Sequence, residues 1–183
     1  MITKPIRKRI FKEWEKIFNF DSAYFKRIEE ESVIVVTSKI VALSEGRTVS
    51  VKNIRTKEEL IKRESQIAIP TKYVWMTVKD NMIMPSAGID ESNANGKLIL
   101  LPKDSFRAAR ILRNELKKKY KINKLGVVIT DSRTVPFRSG VTGVAMGYAG
   151  FRGIKDYTDE PDIFGRKFKF SKVNIADSLA TAA

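Results

Sequence analysis

The apolar residues of this chain gather into short β-branched runs that alternate, without any repeat, with stretches of helical period, and this irregular mixture limits the fold more than any other feature. The run Val33-Ile34-Val35-Val36-Thr37 has the branching of a buried strand. Tyr73 to Val78 alternates as a strand, Asp80-Asn81 supplies turn chemistry and Met82-Ile83-Met84 follows, which predicts a hairpin. Leu98 to Leu101 and Leu125 to Thr130 read as further strands. The clearest helix begins at Asp104 and carries Ala109, Leu112, Leu116 and Tyr120 along one face before a lysine-rich last turn. Thr56-Lys57-Glu58-Glu59 has the form of a capping box, so a second helix is expected from there until shortly before Pro70. Phe11, Trp14, Ile17 and Phe18 predict another, beginning near Ile10 and interrupted at Asn19-Phe20-Asp21. No βαβ rhythm emerges. The expected fold is α+β, with mixed, largely antiparallel sheets and flanking helices.

A length of 183 residues suffices for one sizeable core, and no linker, repeat or low-complexity segment divides it, so a single domain over 1–183 is expected. Cysteine and histidine are both absent. That excludes disulfides, thiol nucleophiles, Cys/His zinc sites and imidazole acid/base chemistry. Catalysis would fall to carboxylates, lysines, hydroxyls or a bound metal. Met1 to Arg9 carries no apolar signal region, and no later segment offers the roughly 20 apolar residues of a membrane span, so a soluble cytoplasmic protein is expected.

The formal charge of +14 attracts anions: nucleic acid, anionic lipid, or small polyanions such as nucleotides and phosphorylated cofactors. Much of it sits in Lys4 to Lys12 and in Lys117, Lys118, Lys119, Lys121 and Lys124. A solvated basic face is the plainer reading of such runs. A nucleic-acid groove would interleave aromatics with the cations, and Tyr120 alone does so in the second cluster, so nucleic acid is not the expected partner.

Three places combine polar chemistry with expected strand ends. Thr37-Ser38-Lys39, with Glu45-Gly46-Arg47 behind it, offers a hydroxyl and a lysine that suit a phosphate; without a glycine loop, Lys39 reads equally as a surface lysine. Ser86 to Gly96 includes Asp90 and Glu91, hard oxygen ligands for magnesium or manganese, and Asn93, an amide donor for phosphate. Turn formation explains the same residues more simply. Thr130-Asp131-Ser132-Arg133 sets a carboxylate, a hydroxyl and an arginine where metal and triphosphate could be held together, with Asp90 and Asp131 sharing the metal. As a structural alternative, Asp131 is a helix or turn cap, with the arginines paired to surface acids.

The order T-S-K-I-V-A-L-S-E-G-R, A-G-I-D-E-S-N-A-N-G, V-V-I-T-D-S-R-T-V-P-F-R-S-G and D-I-F-G-R-K resembles the CofE-like γ-glutamyl ligases, which add glutamate to the deazaflavin coenzyme F-420 precursor. The resemblance runs from about Val33 to Ala183 and is most specific at A-G-I-D-E-S-N and T-D-S; a closer subset comprises ligases assigned to folate metabolism. It implies a CofE-like fold in an intertwined homodimer, GTP as co-substrate with Mg2+ or Mn2+, and L-glutamate and an anionic coenzyme acceptor, deazaflavin or folate-like, as partners. It also implies that Asp90, Asp131 and Ser132 hold the metal and that Ser38, Lys39 and Asn93 contact the nucleotide. The implied reaction phosphorylates the acceptor carboxylate and lets the glutamate amine displace the phosphate. A non-catalytic homologue that binds RNA or another polyanion is the competing reading.

Three departures accompany the resemblance. Leu43 stands where the family has a second lysine, and Asp156-Tyr157-Thr158-Asp159 lacks an arginine and a glycine of the family segment before D-I-F-G-R. Family members also continue beyond the alanine-rich helix beginning near Ile175, and the chain is expected to lack that continuation.

Overall fold

The computed structural model describes residues 1–6, 9–22, 24–50 and 54–183. Its first half contains α1 (Ile17–Ser22), β1 (Ser32–Thr37), α2 (Ser38–Ser44), β2 (Thr48–Ser50), α3 (Ile54–Glu64), β3 (Ile67–Pro70), β4 (Trp75–Lys79) and β5 (Met82–Pro85). Then follow β6 (Lys97–Ile99), α4 (Ser105–Tyr120), β7 (Leu125–Thr134), β8 (Val141–Ala149), β9 (Ile154–Asp156), β10 (Lys172–Asn174) and α5 (Ile175–Ala182). Among these, β1, β7 and β8 form one sheet, β3, β4 and β5 a second, and β2 with β6 and β9 with β10 two smaller ones. Every pairing is antiparallel except β1 with β7, so the expected α+β class with largely antiparallel sheets is observed.

Strand β7 is central to its sheet, and Leu125 to Ile129 are buried on both faces. Period-2 alternation turns Leu125, Val127 and Ile129 to one side, where they join Ala109, Leu112 and Leu116 of α4 in the main core. Helix α4 starts where the sequence places it, because the Asp104 side chain accepts a hydrogen bond from the Arg107 N–H at 2.8 Å. It ends at Lys121, whose φ of 54° is left-handed. Strand β8 follows Gly140, and two of its glycines permit close approach: a Cβ on Gly143 would overlap the backbone of Ala180 in α5, and one on Gly147 the backbone of Ser105 and Phe106 in α4.

The predicted hairpin is present as β4 and β5. Lys79 pairs with Met82 across Asp80 and Asn81, whose φ values of 50° and 61° belong to the tight turn whose twist matches the strands. Several local expectations fail. Among the described residues of the segment 10–28, only Ile17–Ser22 is helical, and the helix runs through Asn19-Phe20-Asp21; Trp14, with φ 64°, cannot belong to a helix. Its N–H instead donates to the Leu43 carbonyl, so tertiary pairing overrides the apolar spacing. Arg7 and Lys8 of the first basic stretch, and Ala23 of the expected helix, lie outside the described residues. Helix α3 begins at Ile54, which places Thr56 inside the first turn rather than at the cap, and it stops at Glu64 to leave room for an additional strand, β3. Among the described residues no helix is long and apolar enough to cross a membrane.

Candidate functional site

The chain's one parallel pairing among the described strands brings the scattered polar motifs together. Its register sets Thr37 opposite Thr130, so Ser38-Lys39, just past the end of β1, lie beside Asp131-Ser132 on β7. Thr37 ends the strand and is the N-terminal boundary of α2; Ser38, the first helical residue, is buried, while Lys39 is half-buried.

Lys39 reaches across to the polar loop. Its Nζ lies 2.6 Å from Asp90 Oδ2 and donates to both the carbonyl and the hydroxyl of Ser92 at 2.9 Å. Asp90 is held on the other side as well: Oδ1 accepts the Ser92 N–H at 2.7 Å, and Oδ2 the Ser92 hydroxyl at 3.0 Å. Its backbone is pinned to Ile99 by reciprocal bonds of 2.9 and 2.8 Å. Burial pushes the Asp90 carboxyl up, but the Lys39 and Ser92 hydrogen bonds outweigh it, and its pKa lies below the ordinary value. The carboxylate is therefore ionised at neutral pH.

The 86–96 segment is thus both a turn and part of a site. Asn93 is exposed, with a left-handed φ of 56°, and Asn95 and Gly96 also have positive φ. Lys57 pairs with Glu91 and tethers the loop to α3. Ser92, to which the motifs assigned no role, bonds to both Lys39 and Asp90 and reinforces their direct ion pair.

Asp131 does not cap a turn. The strand expected to end at Thr130 continues to Thr134, so Asp131, Ser132 and Arg133 are ladder residues paired with Val144, Gly143 and Thr142 of β8. The register slips between Ile129 and Thr130, leaving Met146 of β8 as the extra residue of a bulge. Alternation extends the core face of β7 into charge: after Leu125, Val127 and Ile129 come Asp131 and Arg133, which form an ion pair with each other. Ser132 lies on the opposite face and is exposed.

Hard oxygen donors suit a dication: Asp90 and Asp131 carry carboxylates, while the Ser132 hydroxyl lies on the face of β7 opposite to Asp131. Among the described residues no three acidic side chains cluster tightly enough to make a cage. A magnesium or manganese ion held partly by substrate phosphates and water fits this sparse set better than an ion held by protein alone. Each carboxylate now faces a cation of its own, Lys39 or Arg133, whose donors also suit phosphate or carboxylate oxygens.

Residues 6–183 match the model of a family described as F420-0:gamma-glutamyl ligase. The coenzyme F420:L-glutamate ligase of Methanopyrus kandleri is 34% identical over 175 residues, which cover 85% of this chain and 69% of that protein. The protein of the same name from Methanocaldococcus jannaschii is 30% identical over 192 residues, covering 95% of this chain and 77% of its own length.

Proposed function

The chain belongs to the F420-0:gamma-glutamyl ligase family, and from that premise we propose that it joins L-glutamate through an amide bond to a carboxylate of a deazaflavin coenzyme precursor, using GTP and a divalent metal. The observation that carries the reading is the Lys39–Asp90–Ser92 network just past the end of β1, a strand that pairs in parallel with the one carrying Asp131 and Ser132. The names of the relatives supply the glutamate and the coenzyme.

In this reading Asp90, Asp131 and Ser132 would hold the metal, which when bound would supply charge neutralisation of the triphosphate. Ser38, Lys39 and Asn93 contact the nucleotide. Lys39 stays within reach of Asp90 and can exchange its carboxylate for a phosphate oxygen, so positive charge is already in place where negative charge arrives. An acceptor carboxylate oxygen attacks the γ-phosphorus, the bond to the β-phosphate oxygen breaks, and GDP leaves. The glutamate nitrogen then attacks the acyl carbon, the C–O bond to phosphate breaks, and the amine proton goes to the departing phosphate or to solvent. The protein's part is mainly to position charge and reactants.

A second copy of the chain completes the reading. Ile67, Ile69, Met76 and Ile83 share one face of the β3–β5 sheet, and all are exposed, while Thr77 and Met84 of the opposite face are buried. An apolar face of this kind suits a homodimer interface.

Calorimetric titration with GTP and ATP, with and without manganese, tests the nucleotide site. Metal-dependent GTP binding that is lost in Asp90→Ala and Asp131→Asn supports the assignment. Steep salt dependence without any need for metal would favour a polyanion binder instead, and turnover with a folate acceptor but not a deazaflavin one would replace the substrate.

A further inference from the structure

The geometry points to Arg133 as the receptor for the acceptor's reacting carboxylate, with the body of the acceptor in the cleft beside it; the inference rests on the ligase reading above. Arg133 is 9% exposed, and its hydrogen bonding is incomplete. Nη1 serves Asp131 and the Ser132 carbonyl, the latter at 3.0 Å. Nη2 meets only the sulfurs of Met84 and Met146, at 3.7 and 3.4 Å, and Nε is buried with no partner. Thioethers are weak acceptors, and a buried guanidinium ordinarily spends its donors on oxygens. A cation so enclosed, with one carboxylate for company, has capacity left over.

Arg133 also lines a cleft of about 390 Å³, a size suited to a small-molecule site. The walls are largely apolar, with Val135, Pro136, Val144, Tyr148 and Ile154 among them. They suit a flat ring system better than a small zwitterion.

The ion pair with Asp131 links the cleft to the metal site. Once Asp131 turns to a dication, the guanidinium loses its counter-charge while remaining buried. A carboxylate entering from the cleft restores that charge through a two-pronged contact that arginine is shaped to make. The carboxylate then lies next to the metal-held triphosphate, where one of its oxygens has to reach the γ-phosphorus. Metal binding and acceptor binding therefore cooperate through an exchange of partners at Asp131 and Arg133.

The test is calorimetric titration of F420-0 into the full chain with manganese and a non-hydrolysable GTP analogue, comparing the parent with Arg133→Met and Arg133→Lys. Methionine removes the charge next to Met84 and Met146, and lysine keeps the charge but loses the fork. Arg133→Met should weaken F420-0 roughly tenfold to a hundredfold while metal-dependent nucleotide affinity holds or rises, because Asp131 loses the cation that competes with the metal, and Arg133→Lys should fall between. In turnover, the KM for the acceptor should rise more than kcat falls, and the KM for glutamate should stay constant. Asp131→Asn should lose metal-dependent nucleotide binding yet take up F420-0 without metal, which decides the matter if Arg133→Met does not fold. Unchanged F420-0 affinity in Arg133→Met, a matching loss of nucleotide affinity there, or a shift confined to the glutamate KM would each overturn the inference while leaving the ligase reading standing. A parent chain that binds no nucleotide with metal would overturn both.

Discussion

Charged side chains do much of their work here from partly buried positions, and Glu64 shows the consequence for stability. Its carboxylate is 2.5 Å from Arg47 Nη2 and 3.3 Å from Lys79 Nζ, and its side chain is only 11% exposed. Burial raises the Glu64 pKa, but the two cations lower it further, and it lies below the ordinary value. A carboxyl depressed in the folded state contributes stability above its unfolded pKa, and the contribution is lost as pH falls through the folded one. Glu64→Gln should cost roughly 1–3 kcal/mol at neutral pH and much less below the folded pKa of Glu64. Chemical denaturation of both proteins across the acid range checks this; a pH-independent difference would show that Glu64 acts through packing alone. Asp90 follows the same sign rule, with Lys39 and Ser92 as the stabilising partners.

The elements are set by their ends and by how closely they approach. Helix α4 is capped at Asp104 but closes at Lys121, a non-glycine residue in the left-handed region. Lys121→Gly should raise stability by about 1 kcal/mol, because a side chain is disfavoured in that conformation; an unchanged melting temperature would mean that the lost chain entropy cancels the relief. The opposite result is expected at Gly147, where β8 meets the start of α4 without space for a Cβ. Gly147→Ala should destabilise by roughly 1–3 kcal/mol or more, read as a fall in the denaturation midpoint, whereas Gly140→Ala, with open space at its Cβ, adds no overlap and carries only the strain of a φ of 83°. The comparison separates steric approach from backbone conformation.

At the scale of the whole molecule, a charge of +14 and an exposed apolar sheet face act in opposite directions on association. Like charge disfavours self-contact at low salt, and screening relieves it. If the β3–β5 face is a homodimer interface, Ile69→Lys should shift the chain to monomer while the fold persists, and added salt should favour the dimer in the parent. Light scattering coupled to size exclusion reads both effects. A parent that is monomeric at all salt concentrations would remove the dimer from the functional reading.

Local chemistry was legible wherever a short segment decides its own conformation. The turn at Asp80-Asn81, the cap at Asp104 and the strand at Val33 to Thr37 all follow from nearby residues. So did the types of residue able to handle phosphate and metal, Lys39, Asp90 and Asp131 among them. The expected helix from Ile10 failed because the Trp14 N–H finds its partner at Leu43, in a different element. Asp131 read as the end of a strand because nothing local reveals that β8 continues the ladder to Thr134. Extending the alternation of β7 by two steps would have marked Arg133 as inward-facing; its burial against two methionine sulfurs depends on strands distant in sequence. Sequence alone determined the elements whose ends and periodicity are local, such as β1, the β4–β5 hairpin and α4, together with the available chemistry, since propensity, capping and periodicity are short-range. Tertiary structure decided which groups meet, since the pairing of β1 with β7 joins segments nearly a hundred residues apart and depends on long-range burial that no local pattern encodes.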